Sequence, residues 1–346
     1  MSYDLKAAVG WITAIAVIIS LFSYAVSLFV SVAVVTTTQL GTQLLTMSGQ
    51  LYIEAFLLIF LAPVAANVLI LVVISLIVFV LSFIKAATSN GGLRSGLRIL
   101  TSGRTPQTLP NWLVIMPLLA SSLLVIVLLL SLLQDLFSVS TGSLGTTDPT
   151  VLFPSLALAP IAEEIGFRIS VLGLVTGVLV AVKFGHSIAR GARVTNLSEL
   201  GIFFSAFISP GYAKERAGLP SIRTSGLKGI SISEWIFLFL TAVVFGAYHV
   251  FGGAGWGPGK FLTAALTGFA LGLVYLAYGA YADILLHWFF DLNFYAFTVY
   301  PAFNGVLAIF GDLATLGAIA LGVWGIIIGI YWYANRKPSP IIYTAI

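Results

Sequence analysis

Apolar residues run through this chain in long unbroken stretches, with neither the alternation of a half-buried strand nor the single stripe of a surface helix. About 20 mostly apolar residues cross a bilayer as a helix. Eight stretches reach that length: 8–36, 52–84, 111–135, 151–182, 233–252, 261–280, 282–303 and 305–333. They predict an all-α fold, a polytopic transmembrane helix bundle of about eight spans. The first stretch outruns the apolar core of a signal peptide, about 7–15 residues, and reads as a retained span. Several others are longer than a span needs and imply tilt, and Pro63 inside the second predicts a kink. Only 183–232 is polar over any length, and its short apolar run from Gly201 to Ile208 reads as interfacial. The pattern divides the chain into three N-terminal spans (1–150), a four-span core with the polar loop at 183–232 (151–304), and a last span with a short tail (305–346).

Composition turns this pattern into a statement about solvent. Hydrophobic residues make up 59% of the 346, and Asp, Glu, Lys and Arg only 8%, whereas a soluble surface needs roughly 25–35% charged residues. Lipid must therefore solvate most side chains, which predicts a multi-pass protein of the cell membrane with lipid as its constant partner. The absence of cysteine excludes a disulfide framework, a thiolate nucleophile and a zinc-thiolate site. A formal charge of +4, dispersed along the chain, excludes a nucleic-acid footprint.

The positions of the cations predict orientation, because Lys and Arg near span ends favour the cytoplasm. Lys85, Arg94, Arg98 and Arg104 follow the second stretch, Lys183, Arg190 and Arg193 the fourth, and Arg336 and Lys337 the last. All share one face if both termini are cytoplasmic; Lys260 alone falls on the other. The basic loop 183–232 reads as a segment that touches anionic headgroups.

Against this background the charges within spans stand out, since each costs about 2.5–3.5 kcal/mol at the centre of a membrane helix by insertion scales and usually marks function. Glu163, Glu164 and Arg168 fall in the fourth stretch, His249 in the fifth, His287 and Asp291 in the seventh. Glu54, Asp135, Asp283 and Asp312 lie at or near span ends, where an interfacial or cavity position is the default reading. Glu164 and Arg168, four apart, are neighbours on one helix face and can pair. Glu163, rotated by about 100° from Glu164, has no cation at helical spacing, which suits a general base. A structural ion pair with a spare acid facing water is the plainer alternative. Glu163, His249 and His287 with Asp291 come from separate helices, and in lipid such groups gather most cheaply in one polar cavity.

Glu-Glu-x-x-x-Arg at 163–168, Phe-x-x-x-His at 245–249 and His-x-x-x-Asp at 287–291, in that order, resemble the three motifs of the CAAX protease and bacteriocin-processing (CPBP, ABI) superfamily, which includes the type II CAAX prenyl endopeptidases. The small-residue helix of Gly268, Gly272 and Tyr275 fits that pattern too, and the resemblance covers roughly 150–300. It implies an intramembrane endopeptidase in which Glu163 and His249 activate a water, His287 and Asp291 stabilise an oxyanion, and Glu164, Arg168 and Phe245 support the site. It also implies access from the cytosol and a peptide or lipidated-protein C-terminus as substrate. One departure stands out: the CAAX endopeptidases resembled most closely have Asn where this chain has Asp291. An ionised Asp cannot donate to an oxyanion, so Asp291 must be protonated, orient His287, or bind something positive. A metal-free mechanism with no cofactor is the favoured expectation, with zinc on Glu163, His249, His287 and Asp291 as the alternative ligand set. The same Glu, His and Asp residues also suit a proton-coupled transporter, and a non-catalytic scaffold or immunity protein could keep the fold without the chemistry.

With straight helices the three motifs lie at different depths, counting about 1.5 Å of rise per residue. Tilt, or a re-entrant segment over Gly252–Gly259, would be needed to bring them together.

Overall fold

The structure, a computed structural model, describes residues 3–102, 109–189, 196–298 and 306–334. In chain order these form α1 (Tyr3–Thr37), α2 (Gln39–Thr46), a hairpin of β1 (Ser48–Ala55) and β2 (Phe60–Asn67), α3 (Val68–Thr88), α4 (Gly92–Thr101) and α5 (Trp112–Leu136). A π-helical segment, Ile165–Leu172, joins α6 (Pro149–Glu164) to α7 (Gly173–Ala189). Then come α8 (Asn196–Ile208), α9 (Pro210–Arg216), α10 (Ile222–Ser225), α11 (Ile232–Phe251) and α12 (Lys260–Tyr278). The short α13 (Ala280–Trp288) continues as a π-helical turn, Phe289–Asn293, and α14 (Val306–Ala334) follows.

The all-α membrane bundle holds. Among the described residues seven helical stretches are long and apolar enough to cross a membrane: α1, α3, α5, α6 with α7, α11, α12 and α14. The seventh predicted span, 282–303, is shorter than expected: over the described residues its helical elements are Ala280–Trp288 and Phe289–Asn293.

The stretch 52–84 is not one span. Its first part belongs to the hairpin, paired in register from Ser48↔Asn67 to Ala55↔Phe60. Pro63 sits in β2 opposite Tyr52 and kinks no helix. Asn67 divides strand from helix: its side chain accepts from Ile70 N as the N-cap of α3 and donates to the carbonyls of Leu45 and Met47 at 2.6 and 3.2 Å. An apolar run reads alike as strand or helix by hydropathy, and the cap decides where the helix begins.

Contacts between helix ends define two faces. On one, the end of α3 meets the start of α5 through Asn111, whose amide donates to Ala86 O and Ser89 O at 2.7 Å each. Gly10 near the start of α1 lies against Leu100 of α4, and Gly279 lies between α12 and α13 against Ile208 and Ser209. Lys6, Lys85, Arg94, Arg98, Lys183, Lys214, Arg216, Arg223 and Lys228 all belong to the elements at this basic face. There Lys214 pairs with Glu234 at 2.6 Å, next to the capping box of Ser231 and Glu234 that starts α11.

The opposite face is glycine-rich. The connection between α5 and α6 clasps the one between α11 and α12 through main-chain bonds from Gly145 N to Ala254 O, Gly257 N to Thr141 O and Gly259 N to Ser140 O, at 2.9–3.0 Å. The segment Gly252–Gly259 is thus committed to a loop–loop clasp and does not re-enter the bundle. Between the faces, close packing uses small residues, as lipid-solvated helices require: α14 passes α5 with Gly322 against the Ser121 carbonyl and Gly325 against Ser122.

Candidate active site

The residues of the first and third motifs are delivered by helices that change character close to them, while Phe245 and His249 stand on the regular α11. Glu163 and Glu164 end α6, and the backbone then widens into the π-helical segment that carries Arg168. His287 sits one residue from the end of α13, and Asp291 lies in the π turn that follows. Such π turns recur at functional sites because the extra residue re-aims side chains without ending the helix. Here they bring together groups that straight helices would leave at different depths.

The first-motif pair is buried. Arg168 Nη1 lies 2.9 Å from Glu164 Oε1, and both side chains have no exposed surface. The other arm of the guanidinium donates to Gly268 O at 3.1 Å, and its face lies 4.4 Å from the ring centre of Phe245. A Cβ at position 268 would stand 3.0 Å from Phe245 Cδ1 and 3.1 Å from Arg168 Nη2, so glycine there opens the space in which α11, α12 and the π segment meet.

Glu164 does more than pair with Arg168. Its Oε1 also receives His287 Nδ1–H at 2.6 Å, which turns His287 Nε2 toward Glu163 Oε2 at 3.6 Å and Asp291 Oδ2 at 3.4 Å. His249 Nδ1 lies 2.9 Å from Phe245 O. A carbonyl can only accept, so Nδ1 carries the proton and the neutral ring presents the Nε2 lone pair. Phe245 packs both imidazoles, with ring centres 4.6 Å from His249 and 5.9 Å from His287. Glu163 Oε2 is buried without a hydrogen-bond donor.

Three residues at or beside this cluster escaped the sequence motifs. Asp283, expected near a span end, is fully buried one helical turn before His287, with both carboxyl oxygens lacking a hydrogen-bond donor, and it stands within electrostatic reach of Glu164. The spacing Asp-x-x-x-His on α13 was the available signal. Glu54 arrives from β1, where Tyr248 donates to its Oε1 at 3.0 Å; inside an expected helical span it carried no such signal. Lys260, the lone described cation at the glycine-rich face, stacks on Trp256 at 3.9 Å and stands within electrostatic reach of Asp291 and Glu163.

Among the described residues no three His, Asp or Glu side chains converge as metal ligands. The Nδ1 atoms of both imidazoles are taken by Glu164 and Phe245 O. Chemically the cluster offers a carboxylate at 163, an imidazole lone pair at 249 and a carboxylate-flanked imidazole at 287, at the junction of separate elements. Residues 145–293 match the family model described as type II CAAX prenyl endopeptidase Rce1-like. No curated protein and no solved structure matches the chain.

Proposed function

We propose that this chain, whose residues 145–293 belong to the CAAX protease and bacteriocin-processing superfamily, is an intramembrane endopeptidase whose Glu163 draws a proton from an attacking water. The observation that carries this reading is the meeting of a buried, donor-free Glu163 oxygen with His287 Nε2 at 3.6 Å, beside an imidazole whose tautomer leaves Nε2 open. Glu163 takes the proton while the His249 lone pair orients the same water; as the water oxygen bonds to the carbonyl carbon and the C–N bond breaks, Glu163 returns that proton to the leaving amine nitrogen. His287 faces the carbonyl oxygen of the scissile bond; as an imidazolium it donates at Nε2 and keeps Nδ1–H on Glu164. Of the three roles open to Asp291, orienting His287 fits its 3.4 Å approach.

The family implies a prenylated peptide and a lipid setting. An apolar cavity of about 420 Å³ lined by Leu57, Ile59, Val171, Leu174, Val178 and Phe237, between the hairpin tip, α7 and the first turns of α11, suits an apolar substituent of such a substrate. If the basic face is cytoplasmic, the site lies toward the opposite face, because His249 is two residues from the end of α11 that leads into the clasp. The cytosolic access implied by family resemblance requires the reverse orientation. Single cysteines at Gly253 or Lys228 of this cysteine-free chain, labelled by an impermeant reagent in intact cells, distinguish the two.

The decisive experiment is a cleavage screen of prenylated and unprenylated peptides by the purified protein. Glu163→Gln and His249→Ala should each lower the rate by about 10²–10⁴-fold with thermal unfolding unchanged. If both variants cleave normally, the reading fails. Cleavage that persists under chelation supports the metal-free route; a stoichiometric metal lost with activity in Asp291→Ala overturns it.

A further inference from the structure

The hairpin of β1 and β2 lies outside the family-matched segment 145–293, yet it is built into the site. Leu57 N donates to Gly166 O at 3.2 Å, and Phe56 N donates to Ser170 Oγ at 2.9 Å while that hydroxyl donates to Gly166 O. Phe56, Leu57 and Leu58 hold left-handed backbone angles, φ 51°, 59° and 69°. Non-glycine residues keep such angles only where the surroundings impose them. A Cβ on Gly166 would stand 3.1 Å from Glu54 Cβ, so the hairpin rests on the π segment two residues past Glu164.

Its functional cargo is Glu54. One carboxyl oxygen accepts from Tyr248 at 3.0 Å; the other is buried with no donor. Tyr248 precedes His249 directly, and Glu54 stands within electrostatic reach of Glu163. The charges around the site are divided unevenly. Arg168 answers Glu164, and Lys260 stands within electrostatic reach of Asp291 and Glu163. Among the described residues no cation forms an ion pair with Glu54. A phenol satisfies one oxygen but cancels no charge, and an uncompensated carboxylate at membrane depth is costly until a cation joins it.

We propose that Glu54 is a specificity-determining residue: it receives the cationic side chain, Lys or Arg, of a substrate residue close to the scissile bond. This rests on the peptidase reading above. The chemistry proposed above gives Glu54 no part in activating the water or polarising the carbonyl, and the charge it offers is used only when the substrate brings the opposite one.

The test uses two peptides that differ only by Lys or Met beside the cleaved bond, with full-length protein in detergent or liposomes. The readout is the ratio of their kcat/KM values. Wild type should favour the Lys peptide by about tenfold or more, Glu54→Gln should bring the ratio near one, and Glu54→Lys should invert it for a Glu peptide. Gln keeps an acceptor for Tyr248, so the hairpin stays seated. A ratio unmoved by Glu54→Gln, or no preference in wild type, overturns the proposal. To separate it from the peptidase reading, the same peptides are bound to Glu163→Gln protein and followed by fluorescence anisotropy. If wild type cuts neither peptide but Glu163→Gln binds the Lys peptide more tightly and loses that preference on adding Glu54→Gln, the peptidase reading fails and the Glu54 assignment stands. Equal binding of both peptides overturns the assignment regardless of cleavage.

Discussion

Removing the charge of Arg168 while leaving Glu164 tests the energetic logic of the buried first motif. In Arg168→Met the Glu164 carboxylate, with no exposed surface, loses its 2.9 Å partner. Gly268 O loses its donor at 3.1 Å, and Phe245 loses the cation 4.4 Å from its ring centre. Breaking one side of a buried pair costs about 3–5 kcal/mol because the other charge stays behind. The carbonyl and ring terms share the same side chain, so they are not added to that figure. The double variant Arg168→Met/Glu164→Gln removes both charges, and the new side-chain amide still offers an oxygen to His287 Nδ1–H, so it should regain more than about half of the loss. Arg168→Lys should fall between, since an ammonium lacks the planar fork that reaches Glu164 and Gly268 together. Reversible SDS titration in mixed micelles, followed by tryptophan fluorescence, measures all three. A loss below about 1 kcal/mol for Arg168→Met, or a double variant no better than the single, would refute the argument, because a pair of that kind behaves like one exposed to water.

Gly166→Val should push the hairpin off the π segment at a cost of about 1–3 kcal/mol, seen as faster amide hydrogen exchange at Phe56 and Leu57. Asp283→Asn should keep the fold, because its amide can donate to Glu164. Asp283→Leu offers Glu164 no polar neighbour there and should lower both the unfolding temperature and any peptidase rate. Asp148 caps α6 by accepting from Thr150 N and its hydroxyl, which hold the carboxyl below its usual range. A depressed group stabilises above its unfolded pKa and stops doing so as pH falls through the folded one. Asp148→Asn, which keeps the acceptor, should therefore flatten the acid limb of the unfolding-temperature profile, and a limb identical to wild type would exclude the cap as its source.

The sequence carried the membrane fold and the three motifs because both rest on features hydropathy and spacing express: long apolar runs, and rare charges within them. Its failures share a cause. An apolar segment carries the same signal whether it pairs as a strand or coils as a helix, so 52–67 merged with α3 and Pro63 became a helix kink. Glu54 then fell at a supposed span end, far from the site it reaches. The unusual length of 52–84 was the one visible hint. The π-helical turns after Glu164 and Trp288 leave no compositional mark, so the motifs remained at depths that straight helices could not reconcile. Asp283 was legible as a helical neighbour of His287, but burial beside Glu164 depends on how α13 meets α6, a long-range fact no local pattern states.

The clasp on the glycine-rich face is made almost entirely of main chain. A lock of this kind is invisible to a scan that trims side chains to alanine, since most of what it holds with survives the trimming. It answers only to additions. A methyl on Gly142 would run into the Gly257 amide nitrogen, and one on Gly257 would stand 2.5 Å from Ser140 O. Variant libraries of this protein should therefore show a paradox at these loops: positions without side chains that tolerate nothing, among neighbours with side chains that tolerate almost anything.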